Sequence, residues 1–180
     1  MRKIIAGLFV SVDGVVESPE EWHFPYWSDE MQEAVGSQFD EADILLLGRA
    51  TYEVFAATWP HRGGESLFAD QLNGMRKLVA STTLKNVEWQ NSALIEGDVA
   101  EALTRLKAEP GKNITISGSP TLVRSLLREN VLDELRLLVH PIVLGSGRRL
   151  FEDKDDHRPL RLVDSVTFGT GVLNLTYAPA

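Results

Sequence analysis

Twice in this chain an apolar strand runs into glycine and then into a helix that opens on hydroxyl residues. The first copy is Asp43-Ile-Leu-Leu-Leu-Gly48-Arg49-Ala-Thr51-Tyr52-Glu53, the second Asn113-Ile-Thr-Ile-Ser117-Gly118-Ser119-Pro120-Thr121-Leu122. A helix start leaves backbone N–H groups unpaired, with the positive end of the helix dipole behind them. Such an end takes phosphate. Two of them in one small domain point to a ligand with more than one phosphate, such as a dinucleotide. At the first copy Gly48 permits close backbone approach, Thr51 adds a hydroxyl, and Arg49 can grip phosphate with a planar fork. The bland reading is a strand-to-helix turn with a solvated arginine. At the second copy Gly118-Ser119 is the candidate pyrophosphate site, and its bland reading is a serine cap with proline at the first helical position.

Other residues have similar double readings. Asp13, just after the first strand, could orient a substrate or relay a proton, yet Asp13-Gly14 is also an ordinary turn. Ser81 and Thr82 end a strand, with Lys85 nearby, either as a ribose-phosphate site or as a plain polar strand end. Trp22, Phe24, Tyr26 and Trp27 form an aromatic loop that suits stacking on a planar heterocycle, and equally suits pinning to the core or a dimer contact. His140 precedes Pro141 near a strand end and is a candidate substrate contact, while Gly145-Ser146-Gly147 either meets a ligand or turns the chain. The histidines, His23, His61, His140 and His157, lack metal-ligand spacing, so no metal is expected.

The elements that must position these residues follow from periodicity. Lys3 to Val12 reads as a buried central strand, and not as a signal peptide, because Asp13 and Glu17 follow without a cleavage pattern. Ser28 caps a helix to about Asp40 with Met31, Ala34, Val35 and Phe39 on one face. Strand Asp43–Leu47 leads to helix Arg49–Ala57, helix Ser66–Leu72 stops at Asn73-Gly74, and strand Arg76–Ser81 follows. Short strands are expected at Val87–Trp89 and Ala93–Ile95, a helix capped by Asp98 with Glu101 as its capping-box partner, and a strand at Asn113–Ser117. The next helix packs Leu122, Val123, Leu126 and Leu127; a long strand runs from Leu135 to Leu144; Leu160–Phe168 and Val172–Tyr177 make a hairpin. Alternation followed by terminal strands implies a mostly parallel sheet with an antiparallel edge.

Bulk numbers bound the function. The 180 residues fit one domain, spanning 1–180, with 43% hydrophobic and 24% charged residues. A net charge of −8 argues against a general nucleic-acid or anionic-membrane binder, which needs a basic footprint. The absence of cysteine excludes disulfides, thiolate catalysis and Cys-ligated zinc. No stretch is long enough to span a bilayer, and the cytoplasm is the expected compartment.

Taken together, the motifs resemble the dihydrofolate reductase-like superfamily, in the branch related to the C-terminal reductase domain of bacterial riboflavin biosynthesis. The resemblance is carried by Ser11-Val-Asp13-Gly14, by Leu47-Gly48-Arg49-Ala-Thr51-Tyr52-Glu53, by Ser117-Gly118-Ser119, and by His140-Pro141-Ile-Val-Leu-Gly145-Ser-Gly147 followed by Leu150-Phe151, in the family's order. It implies a three-layer α/β fold: an eight-stranded, mostly parallel sheet flanked by helices and ending in an antiparallel hairpin. It implies NADPH along the C-terminal edge of the sheet, in keeping with the rule for open α/β sheets. Cofactor contacts would fall to Gly48, Arg49, Thr51, Ser81, Thr82, Gly118, Ser119 and Leu122, with Ser81, Thr82 and Lys85 suiting a 2′-phosphate. Substrate contacts would fall to Val12, Trp22, His140 and Gly145, with Asp13 catalytic. Where the family often has two glycines, this chain has Gly118 then Ser119; and where dihydrofolate reductases carry an inward carboxylate on the first helix, this helix is apolar, which argues against folate. The expected activity is hydride transfer to a small planar nitrogen heterocycle or a related imine or carbonyl, such as 5-amino-6-(5-phosphoribosylamino)uracil. The alternative is a non-catalytic nucleotide- or metabolite-binding module. A homodimer is expected from the apolar terminal hairpin and from the resemblance.

Overall fold

The computed structural model describes residues 1–180 as thirteen regular elements around one sheet. In chain order these are β1 (Ile4–Ser11), α1 (Asp29–Asp40), β2 (Ala42–Gly48), α2 (Arg49–Thr58), α3 (Leu67–Gly74), β3 (Arg76–Ala80), β4 (Ser92–Leu94), α4 (Val99–Ala108), β5 (Asn113–Ser117), α5 (Pro120–Arg128), β6 (Glu134–His140), β7 (Leu160–Thr167) and β8 (Leu173–Pro179). The strands lie in the order β4-β3-β2-β5-β1-β6-β8-β7. The first six are parallel; β8 runs antiparallel to both β6 and β7.

Alternation along the central strands separates two faces. Ile4, Ala6, Leu8 and Val10 of β1 join Ile44, Leu46, Ile114 and Ile116 beneath α4 and α5, which contribute Leu103, Leu106, Val123, Leu126 and Leu127. The opposite face takes α1, whose buried Met31 meets Leu138, Phe168 and Val172, and takes α2 and α3 around Leu45, Leu47, Tyr52 and Leu72. Ser28 Oγ accepts from the Met31 N–H at 3.2 Å and starts α1, with Asp29 and Glu30 favouring the positive helix end. Asp98 caps α4 in the same way, but Glu101 does not complete a capping box; its carboxylate faces Arg105 instead.

Two expected strands differ. Val87–Trp89 is not a strand, because the Tyr52 hydroxyl accepts from the Glu88 and Trp89 N–H groups at 3.0 and 3.1 Å. Those amides therefore have no ladder to join. The strand expected to reach Leu144 ends at His140: Pro141 has no N–H, and the Leu144 and Gly145 amides donate to the Asp13 carboxylate. No helix is long and apolar enough to cross a membrane.

Candidate functional site

The site is built where the sheet loses a neighbour. β1 pairs with β5 only from Ile4 to Gly7, while its pairing with β6 continues to Ser11. Beyond Gly7 the β5 side of β1 is open, and the chain leaves β5 through Gly118-Ser119 beside the Gly48 turn at the end of β2. This is a topological switch point at the C-terminal ends of the strands, the usual ligand position in an open α/β sheet.

The two glycine turns touch. Ser119 sits in the left-handed region at φ 57°, and its hydroxyl does not cap α5. It accepts instead from the Gly48 N–H at 2.8 Å and donates to Thr51 Oγ1 at 2.9 Å, while the Ser119 N–H also donates to Thr51 Oγ1 at 3.1 Å. The ordinary-cap reading of Ser119 is thereby replaced by a cross-tie between the two helix starts. Thr51 Oγ1 accepts twice, which leaves its own O–H free to donate. Neither Gly48 nor Ser119 supplies a side-chain cap to the helix it opens. Substitution would crowd the tie: a Cβ on residue 48 would meet Ser119 Oγ at 3.0 Å, and one on residue 118 would meet Thr51 Oγ1 at 3.1 Å. Next to this, Arg49 Nη1 donates to Thr83 Oγ1 at 3.2 Å, and Ser81 Oγ accepts from the Thr83 and Leu84 N–H groups at 3.2 and 3.0 Å. A guanidinium and a hydroxyl-rich turn are thus joined directly. Tyr52, one turn into α2, holds the following segment through Glu88 and Trp89.

An open cleft of about 1990 Å³ runs along this rim. Gly48, Arg49, Thr51, Ser81, Thr82, Gly118, Ser119 and Leu122 all line it. The residues expected to meet substrate, Asp13, Val12, Trp22, His140 and Gly145, gather at the ends of β1 and β6, behind cleft residues: the His140 ring lies edge-on to those of Phe9 and His23 at 5.5 and 6.3 Å. There the Asp13 carboxylate accepts from Ser11 Oγ at 2.6 Å, from the Leu144 N–H at 3.1 Å and from the Gly145 N–H at 2.8 Å. These donors, Ser11 foremost, lower its pKa to about 2. Val12 donates its N–H to Ile142 O at 2.9 Å and turns its side chain to solvent. Trp22 is buried with its indole N–H on Glu17 O at 2.9 Å, edge-on to the His140 ring at 5.1 Å. His140 is fully enclosed, with Nδ1 2.8 Å from Leu138 O and Nε2 without a partner. Burial pushes its pKa down.

Of the aromatic loop, Phe24 and Trp27 line the cleft and are exposed. His23, between them in the fold, also lines it, stacked on Phe9 at 4.7 Å, and its pKa is lowered by burial and by His140. Gln38 is a further lining residue that sequence reasoning missed. The available signal was its place in α1: it falls seven residues after Met31, on the apolar stripe, where a polar side chain is out of pattern. No group of three or more His, Cys, Asp or Glu is arranged to hold a metal ion.

Residues 2–174 match the family described as the RibD C-terminal domain. Among curated relatives, the uncharacterized protein YyaP of Bacillus subtilis is 28% identical over 184 residues, covering 98% of this chain and 94% of its own. Among solved structures, a Shewanella protein provisionally named for riboflavin biosynthesis superposes with a TM-score of 0.79 at 18% identity, covering 99% of each chain. Dihydrofolate reductase from Enterococcus faecalis, solved with NADP(H), gives 0.67 at 16% identity, covering 98% of this chain and 96% of that one. The shared architecture is the dihydrofolate reductase-like fold.

Proposed function

This chain belongs to the RibD C-terminal domain family, and on that premise we propose that it is an NADPH-dependent reductase acting on a small planar nitrogen heterocycle or a related imine or carbonyl. The observation that carries the reading is the cross-tie. Two helix starts without side-chain caps meet through Ser119 on one rim of one sheet, close enough for one pyrophosphate to touch both.

The residues present fit NADPH. Glycine at 48 and 118 lets the two turns close on each other, and Thr51 keeps an O–H free to donate beside them. Arg49, Ser81, Thr82 and Thr83 form the group that would hold a 2′-phosphate. When bound, NADPH supplies the hydride; the protein's task is alignment and exclusion of water. The open edge of β1 past Gly7 offers backbone groups to a planar ring, and Phe24 and Trp27 offer faces for stacking. Asp13, held ionised by three donors, is read as a brace in preference to a proton relay. Its role is to brace the ends of β1 and β6, and through them the floor of the cleft. The 5-amino-6-(5-phosphoribosylamino)uracil reduction is the named reaction to test first. A nucleotide-binding module without turnover is the second reading, favoured by that sequestered carboxylate; steady NADPH oxidation with a pyrimidine or pterin would eliminate it.

Titration calorimetry with NADPH and NADH tests the cofactor. Binding is expected for NADPH, and Arg49→Ala is expected to weaken it about tenfold with little effect on NADH, the loss of one charge-assisted phosphate contact. Ser119→Gly, which frees the Gly48 amide, is expected to hold or raise NADPH affinity. No binding of either nucleotide at millimolar concentration overturns the reading.

A further inference from the structure

The most conspicuous polar group left without a task is Gln38. It is buried to 8% exposure on the inner face of α1 and lines the cleft. One end of its amide is fixed: Nε2 donates to Thr115 Oγ1 at 2.6 Å, and Thr115 is fully buried in β5. The other end, Oε1, takes no hydrogen bond from the protein, and Gln38 is one of the residues that line the cleft. The amide itself packs on Gly7, where a Cβ would collide with it. So α1 places a neutral amide flat against the backbone of β1, at the point where β5 stops pairing with it.

We propose that Gln38 is a specificity-determining residue that reads an amide edge, an N–H beside a C=O, on a planar group bound next to it in the cleft. One end of the amide is fixed on Thr115, so Oε1 is held in place as an acceptor that the protein does not use, and a ligand N–H can take it without reordering the side chain. The group is neutral, so it selects a neutral ring that presents a donor; a carboxylate there would select a protonated ring instead. Two sources share this chemistry: the carboxamide of a nicotinamide and the lactam edge of a pyrimidine substrate. The inference deepens the reductase reading and rests on it for the identity of those two sources.

The test uses the whole chain, labelled with ¹⁵N, and follows the Gln38 side-chain amide resonance, identified by its loss in Gln38→Met. The probes are NADPH, uracil, and two analogues that keep the carbonyl but lack the N–H: the 3-acetylpyridine analogue of NADPH and 1,3-dimethyluracil. The expected result is a shift with NADPH or with uracil and none with its N–H-free analogue. Gln38→Met is then expected to weaken the shifting probe about tenfold, the worth of one buried hydrogen bond, at unchanged circular dichroism. The probe that shifts the resonance names the source. If Gln38→Met fails to fold, Gln38→Glu keeps the shape and is expected to weaken the same probe. Equal shifts from both members of a pair, or none from any probe, overturn the inference. A uracil shift without calorimetric NADPH binding removes the reductase reading and leaves Gln38 as the recognition group.

Discussion

At the scale of residues, chemistry depends on what a group already touches. Asp13 stands where a proton relay would be drawn from sequence, yet three donors hold it ionised, with a pKa near 2 against an ordinary 3.8. Its depressed pKa adds stability above pH 4 that is lost as pH falls toward 2. Asp13→Asn is expected to lower the melting temperature, since it weakens the bonds from the Leu144 and Gly145 amides; scanning calorimetry on the variant checks it. His140 and His23 work in the opposite sense. Burial lowers both below the usual 6.5, so the unfolded chain takes up protons first as pH falls. Their contribution is full above 6.5 and declines below it. The stability gap between wild type and His140→Gln, a variant neutral at every pH that keeps a donor for Leu138 O, is expected to shrink from pH 7 to pH 5 in denaturant melts. None of this was legible from the chain, because proximity to a strand end does not tell which donors reach a carboxylate or which rings enclose an imidazole.

At the scale of elements, the alternation of strands and helices was legible because each rests on local pattern: the stripe of α1, the serine and aspartate caps, the apolar runs of β1 and β2. What failed was decided by side chains competing for backbone. Val87–Trp89 has strand-like residues, but Tyr52 takes its amides and Asn73 Oδ1 takes the Trp89 indole N–H at 2.7 Å. The same region holds a second such device. Lys77 on β3 has no exposed surface, and its ammonium donates to Leu72, Asn73 and Met75 carbonyls at 2.7, 3.0 and 2.7 Å, over the Trp89 ring. It closes the C-terminal end of α3. Burial lowers its pKa from 10.5 to about 8. Between those values the unfolded chain binds the extra proton, so wild-type stability is expected to rise with pH from 8 to 10.5. Lys77→Met is expected to lose that slope and, by stranding the carbonyls, to cost about 1–3 kcal/mol at pH 7; urea melts at three pH values check both.

At the scale of the molecule, the candidate cofactor residues fall on one wall because their strands are parallel and end together; strand direction was readable from the sequence. The residues expected to touch substrate fall elsewhere because β6 stops at His140 and its loop folds back onto Asp13. The far edge of the sheet raises a separate matter. β7 is exposed along nearly its whole length, with Leu162, Val163 and Val166 in the open and one side of the strand unpaired. An edge of this kind is a template for pairing. A homodimer through β7 is expected by light scattering at micromolar concentration, and Val166→Lys is expected to return it to monomer without loss of helicity.

The brevity of β5 reaches further than the rim it opens. Five residues link the wing β4-β3-β2 to the wing β1-β6-β8-β7, by four register pairs on each side. Bending along this spine would disturb fewer hydrogen bonds than bending at the longer β1–β6 ladder. The two wings are the covers of a half-open book, and a rod-like molecule gripped by both would act as its clasp.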